Sequence, residues 1–289
     1  MDTRALAMGL AFVAMWASAF TSGKIIVEYA PPLLVLGVRY VISGLAGVGI
    51  AWLLGQRARL TRAQWGATIL FGLCQNTLYL GLNFLAFERI EASVAVIIAS
   101  ALPISVALLS WAVLREKLPP LGMAGMIAGA LGVALVMGDR LAGGTDLIGV
   151  GLCVAGLAAL TVATLIVRSA APAGDSVLMI VGLQMLVGAV TLLPLSALTE
   201  TWEVTYSWPL FWAFSYTTIF PGLVATVTWF YLVQRIGPTR AATFHFLNPF
   251  LGVAIAAALL GEALNTTDLI GVAIIMGGIL AVQMSKARG

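Results

Sequence analysis

The chain has 289 residues, 61% of them hydrophobic and only 9% charged, with a formal net charge of +3 and a mean hydropathy of +1.04. Soluble domains carry about 25% charged and about 45–50% apolar residues, so a water-soluble fold is excluded and the solvent for most of this chain is lipid. The small net charge gives no footing for nucleic acid. A membrane helix needs about 20 mainly apolar residues, and charges with Pro/Gly punctuation divide the chain into ten such spans. The predicted class is an all-α integral membrane protein.

The first span, 5–26, opens like a signal peptide, but its apolar run is too long and Ser22-Gly23-Lys24 leads straight into another span. It is read as an uncleaved helix. Trp16 and Phe20 stand one turn apart on it. The second span, 32–54, contains Arg39, the one full charge well inside an apolar run. It either pairs with a substrate carboxylate, or snorkels or meets a helix end. The third, 64–86, carries a polar stripe of Asn76, Tyr79 and Asn83. The fourth, 92–114, offers Ser93, Ser100 and Pro103. The fifth, 120–137, has Gly122, Gly125, Gly129 and Gly132 at spacings that read as close helix packing or, less favoured, a dimer face.

The sixth span, 147–167, places Thr161 and Thr164 about one turn apart. The seventh is 176–198, and Glu200 and Glu203 follow it. The eighth, 209–233, holds Tyr216 and Trp229, either stacking groups for an aromatic or cationic substrate or packing residues. The ninth, 241–260, carries the only histidine. Ala241, His245, Asn248 and Gly252 share one face at helical spacing, with Phe244 beside His245 and Pro249 directly after Asn248. The tenth, 268–284, contains Gly271 and Gly278. Trp52, Trp65, Trp202 and Trp208 fall near span ends, where aromatic belts form.

Polar groups in lipid should face inward. Cavity lining and plain helix–helix hydrogen bonding are both open for each of them. Pro103 and Pro249 lack an N–H and free the carbonyls of Ala99 and His245, so both helices should kink, as hinges or as static bends. Cys74 and Cys153 lie in apolar runs and read as buried thiols without a disulfide. One histidine and two distant cysteines supply no zinc set. No metal and no cofactor are expected.

Ten spans put both termini on one side. If that side is the cytoplasm, its loops and flanks hold eleven basic residues, including Arg57, Arg59, Arg62, Arg115 and Lys117, against three outside, Lys24, Arg89 and Arg140. The positive-inside rule favours this orientation.

The chain also resembles itself. Shifted by 146 residues, 84–136 aligns with 230–282 without a gap, with 12 identities in 53 positions. Arg89-Ile90 meets Arg235-Ile236, Pro103 meets Pro249, Glu116 meets Glu262, and Leu118, Gly125 and Gly132 meet Leu264, Gly271 and Gly278. Each unit holds five spans, an odd number, so the second must be inverted. Inverted halves with substrate held between them near the midplane are a recurrent transporter plan.

Three stretches carry a more specific likeness: WASAFTSGK (16–24), ALPISVALLSWAVLREKLPPLGMAGMIAGALGV (101–133) and LNPFLGVAIAAALLGEALNTTDLIGVAIIMGGI (247–279). They resemble the EamA-type drug/metabolite transporters, and within them the aromatic amino-acid exporters. The resemblance implies two repeats, 1–138 and 147–284, in a bacterial inner membrane. It also implies a central cavity lined by the first, third, fourth, sixth, eighth and ninth spans, with the fifth and tenth at the periphery. The candidate substrate-binding residues are Trp16, Phe20, Asn76, Tyr79, Asn83, Ser100, Thr161, Thr164, Trp229, Phe244, His245 and Asn248, with Pro103 and Pro249 as hinges. The expected partners are lipid and a small-molecule substrate, amino acids or related metabolites, carried by a monomer.

Aspartates and glutamates all lie near span ends or in loops. Deep carboxylates mark many ion-coupled carriers, so uncoupled facilitated export is expected, with a proton-coupled exporter of drugs or organic cations as the alternative and a pore as a third reading. SAFTSGKI (18–25) misses the P-loop pattern at Ser18 and Ile25, and no G-x-S-x-G or H-E-x-x-H occurs. These points argue against an ATP-driven machine, an intramembrane protease or any enzyme.

Overall fold

The computed structural model describes residues 3–57, 60–115, 119–170, 177–236, 241 and 243–287. Glu116 and Leu118 of the repeat, and Arg59, Lys117, Arg240 and Arg288 of the charge count, lie outside them. The described elements are all helices, as lipid requires of a backbone that must satisfy its own hydrogen bonds. In chain order they are α1 (Thr3–Val27), α2 (Pro32–Leu53), α3 (Arg62–Phe87), α4 (92–114), α5 (Pro120–Ala142), α6 (Leu147–Ala170), α7 (Val177–Thr199), α8 (208–236), α9 (243–260) and α10 (Thr266–Ala287). Among the described residues, eight helices are long and apolar enough to cross a membrane, and two shorter apolar helices, Phe244–Leu260 and Thr266–Val282, complete the ten.

Proline opens several of these helices, at positions where its missing N–H is spare: Pro32 in α2, Pro120 in α5 and Pro209 in α8. Helix α5 runs five residues past its expected end, through Gly138-Asp139-Arg140. The arginine is neutralised there by acidic partners, so the charge no longer ends the helix, and Gly144 at φ +92° closes the turn instead.

The 146-residue shift reappears in local structure. Thr61 caps α3 by accepting from Gln64 N, and Ser207 caps α8 by accepting from Leu210 N. A π segment interrupts α3 at Gly72–Leu80 and α8 at Thr218–Val224. Helix α4 breaks at Ala101 between Ala92–Ser100 and Leu102–Leu114, and α9 changes from a 3-10 turn (Thr243–Leu247) to α-helix (Asn248–Leu260). Arg115 and Gly261 end these helices in the left-handed region, at φ 52° and 70°. The π segments were not anticipated from the sequence.

Packing follows the same pairing. The most extensive helix contacts join α5 to α10 and α2 to α7, while α1 packs on α8 and α9 as α6 packs on α3 and α4. Glycines set the first two seams. A Cβ on Gly278 would lie 2.5 Å from Gly129 N and 2.6 Å from Gly125 O; one on Gly182 would lie 2.7 Å from Val48 N. Here the stripe predicted on α5 is spent on α10.

The end of the bundle away from the termini is tied by carboxylates on helix N-termini, where N–H groups and the helix dipole favour anions. Glu200 accepts from Leu33 N and Leu34 N at 2.8 and 2.9 Å, and Glu262 from Ala92 N and Ser93 N at 2.8 and 3.0 Å. Arg140 forks onto Asp268, at 3.2 and 2.7 Å, and also meets Glu91. Asp146 caps α6 from the preceding loop. The Gly149 N–H, 2.9 Å from its Oδ1, chiefly holds the Asp146 carboxyl below the usual carboxylate range, and Arg89 adds to this. A lowered folded-state value means the cap's contribution is present at neutral pH and is lost as pH falls through that value. Melting temperatures of wild type and Asp146→Asn in detergent should therefore differ at pH 7 and converge in acid; a pH-independent difference would contradict this assignment.

Candidate functional site

Two cavities lie between the halves. The first is a partly open pocket with roughly 460 Å³ of space unfilled by protein atoms, open solvent included. Its walls are Trp16, Ala19 and Phe20 of α1, Arg39 of α2, Tyr79, Leu80, Asn83, Phe84 and Phe87 of α3, and Thr217 and Pro221 of α8. The second, with about 240 Å³ of space unfilled by protein atoms, open solvent included, is lined by Trp16, Tyr79, Ala99, Ser100, Leu102, Pro103, Leu160, His245 and Asn248. Trp16 and Tyr79 belong to both and form the partition.

The second cavity sits where the helices break. Pro103 lies at the start of the second α4 segment, and the chain before it closes a tight turn, Ala101 N donating to Ile98 O at 3.1 Å. In α9 the residues ahead of Pro249 wind as a 3-10 turn, in which residues three apart eclipse. That spacing brings Asn248 Nδ2 to 2.8 Å from His245 Nδ1. Asn248 Oδ1 is buried without a hydrogen-bond partner. The His245 ring is caged by aromatics: centroids of Trp229, Phe12 and Trp16 lie at 4.9, 5.3 and 6.2 Å, all near edge-on.

Six further candidates are committed to neighbouring helices or to their own backbone, or stand behind the wall. Asn76 donates to Gln184 O of α7 at 2.8 Å. Thr161 meets Ser105 Oγ of α4 at 2.7 Å and donates to Leu157 O of its own helix. Thr164 donates to Leu160 O at 2.8 Å. Trp229 stacks at a tilt on Phe12, 4.8 Å between centroids. Phe244 packs into the space left by Gly9, and Pro249 is buried at the start of the α9 helix. Ser100 lines the second cavity but donates to Val96 O at 2.6 Å. Asn83 lines the first, bonds Tyr79 O at 2.8 Å and accepts from the Cys153 thiol. Ala241 is buried among Ala5, Leu232 and Phe244, and Gly252 lets α9 press against Val96 of α4.

Reading the sequence alone overlooked Phe84, Phe87, Thr217 and Pro221 in the first cavity and left Arg39 open. The available signal was Pro221: a further proline inside an apolar span, in a helix whose partner α3 has Gln75 at the matching position.

The model described as the EamA-like transporter family matches residues 3–138 and again 147–284. Among similar proteins, the uncharacterized transporter YvbV of Bacillus subtilis is 28% identical over 98% of this chain and 93% of its own. The uncharacterized inner membrane transporter YedA of Escherichia coli is 24% identical over 94% of this chain and 88% of its own. A crystal structure superimposes with a TM-score of 0.74 at 20% identity, covering 100% of this chain and 99% of the other, which establishes likeness of fold.

Proposed function

The chain belongs to the EamA-like transporter family, and from this premise we propose that it exports small metabolites, amino acids including phenylalanine, tyrosine and tryptophan, by alternating access. It is a multi-pass membrane transporter rather than an enzyme. The two matched halves are its repeats, and the broken helices α4 and α9 face each other across the cavity between them. Rocking about the Pro103 and Pro249 breaks would open that cavity to each side in turn. The termini lie in the cytoplasm of a bacterial inner membrane, as the loop charges favour.

The observation that carries this reading is the pairing of aromatic walls with a few polar groups, buried Tyr79 and Asn248 and half-buried His245, where the two halves meet. Among the described residues, no carboxylate lines either cavity. This supports uncoupled movement down the substrate gradient over a proton-coupled cation exporter, which would want a negative partner for its cargo.

Counterflow in proteoliposomes, with no proton or sodium gradient, tests the proposal. Preloaded phenylalanine should drive uptake of labelled phenylalanine, with saturation. Transport that appears only under a proton gradient would overturn the uncoupled mechanism, and exchange of organic cations alone would overturn the substrate. Both His245→Ala and Asn248→Ala should lower exchange several-fold at unchanged membrane abundance; unchanged exchange in both would assign the pair to packing.

A further inference from the structure

We infer that the Arg39 guanidinium is the ligand-binding group of the first cavity, and that its ligands are organic carboxylates with an apolar or aromatic body. The inference rests on the transport reading above and names the chemistry that its cargo must carry.

Arg39 lies seven residues beyond Pro32, about 10 Å along α2, and is only 5% exposed. A buried cation is ordinarily paired. Arg89 pairs with Asp146, and Arg140 with Glu91 and Asp268, whereas no carboxylate of the described residues stands within 4.0 Å of Arg39. Its Nε is buried with no hydrogen-bond partner. The groups around it are the Tyr40 ring, 5.4 Å from Cζ, and Gly222 in the π segment of α8. A Cβ at Gly222 would stand 3.2 Å from Nη2, so the bare glycine makes room for the guanidinium.

Two of the other polar side chains on the cavity wall, Thr217 and Asn83, are already engaged. The Thr217 hydroxyl is engaged with Ala213 O and Ser22 Oγ at 2.6 and 2.7 Å, and Asn83 is bonded through both ends of its amide. The wall thus offers one open fork of donors, facing Trp16, Phe20, Phe84 and Phe87. A planar fork matches a carboxylate, and the aromatic wall matches an apolar body.

The repeat supplies an internal control. Under the 146-residue shift Arg39 corresponds to Met185 and Gly222 to Asn76. At that equivalent contact, Asn76 Nδ2 donates to Gln184 O, and the polar group is used up by the neighbouring helix. A purely structural polar contact at this place in the fold is therefore made and closed. The Arg39 version is left open.

The test is thermal protection of the purified full-length protein in detergent by three probes: phenylalanine, 3-phenylpropionate and phenethylamine. Both carboxylates should protect and the amine should not. Arg39→Met should raise the half-protecting concentration of each carboxylate at least about ten-fold, as loss of a charge-assisted contact does. Arg39→Lys should fall between, since it keeps the charge and loses the fork. Gly222→Ala, which crowds the guanidinium and leaves its charge intact, should weaken both carboxylates as well, which guards against a folding defect peculiar to position 39. Wild-type protection retained in Arg39→Met overturns the inference, as does protection by phenethylamine equal to that by phenylalanine, or no protection by either carboxylate. The two readings fail separately. Arg39-dependent protection by 3-phenylpropionate without amino-acid counterflow sinks the amino-acid substrate and keeps this site. Equal phenylalanine exchange by wild type and Arg39→Met does the reverse.

Discussion

Replacing Asp268 with alanine is expected to destabilise the protein by about 3 kcal/mol, the lower part of the ~3–5 kcal/mol range for breaking a buried ion pair from one side. Asp268 is fully buried at the start of α10 and takes both a short and a longer bond from the Arg140 fork, while its Oδ2 also accepts from Asn265 N at 3.0 Å. Alanine strands the buried Arg140 charge and uncaps the helix together. Glu91 keeps one contact with Arg140 and softens the loss, which sets the expectation at the lower bound. The measurement is the unfolding midpoint in detergent. The pair Arg140→Met with Asp268→Leu should recover most of the loss, because an apolar replacement of the whole pair is often neutral. A double variant as unstable as Asp268→Ala would show that the charges hold these helix ends for a reason beyond their mutual neutralisation.

Gly278→Val should be comparably severe, at the upper end of the ~1–3 kcal/mol that overpacking costs. The obstruction is backbone: Gly129 N at 2.5 Å, Gly125 O at 2.6 Å and Gly129 Cα at 2.8 Å from the position of a Cβ. No rotamer change clears it, so α5 and α10 must separate, and close approach is what holds helices together where lipid removes the hydrophobic drive. Gly277→Val is the control, since nothing lies within 4 Å of its Cβ position. Melting temperature and membrane abundance of the two variants should diverge; equal behaviour would mean that the seam tolerates a gap.

These two sites mark how far the sequence could be read. The span plan, the repeat and the close packing of the glycine faces of α5 and α10 were legible because hydropathy, glycine spacing and the 146-residue register are properties of composition along the chain; that the two faces meet each other was not. The break at Pro103 was legible because a missing N–H is a local fact. Its partner at Pro249 took a form that spacing could not give. An α-helical reading placed Ala241, His245, Asn248 and Gly252 on one face; the 3-10 turn at Thr243–Leu247 brings His245 to Asn248 three residues on, Ala241 packs among Ala5, Leu232 and Phe244, and Gly252, one α turn beyond Asn248, is where α9 meets Val96. The hidden part of the site was a question of partners. Asn76 and Thr161 look like cavity residues on their own helices, and only the neighbouring Gln184 carbonyl and Ser105 hydroxyl reveal that their hydrogen bonds are taken. Arg39 is the converse, a residue whose meaning lies in what fails to meet it.

The two π segments have a consequence in chain length. Their hydrogen bonds reach back five residues where an α-helix reaches four, so α3 and α8 each store slack. Winding one such turn back to α register would take up a residue, about 1.5 Å of rise and about 100° of rotation. The two stores are unequal. In Thr218–Val224 the ring of Pro221 would clash with the carbonyl four residues back if the α register returned, and this pins the slack in α8. Gly72–Leu80 contains no proline, and it carries Tyr79, the residue shared by both cavities. The second half's π register is thus held by a proline that the first half lacks.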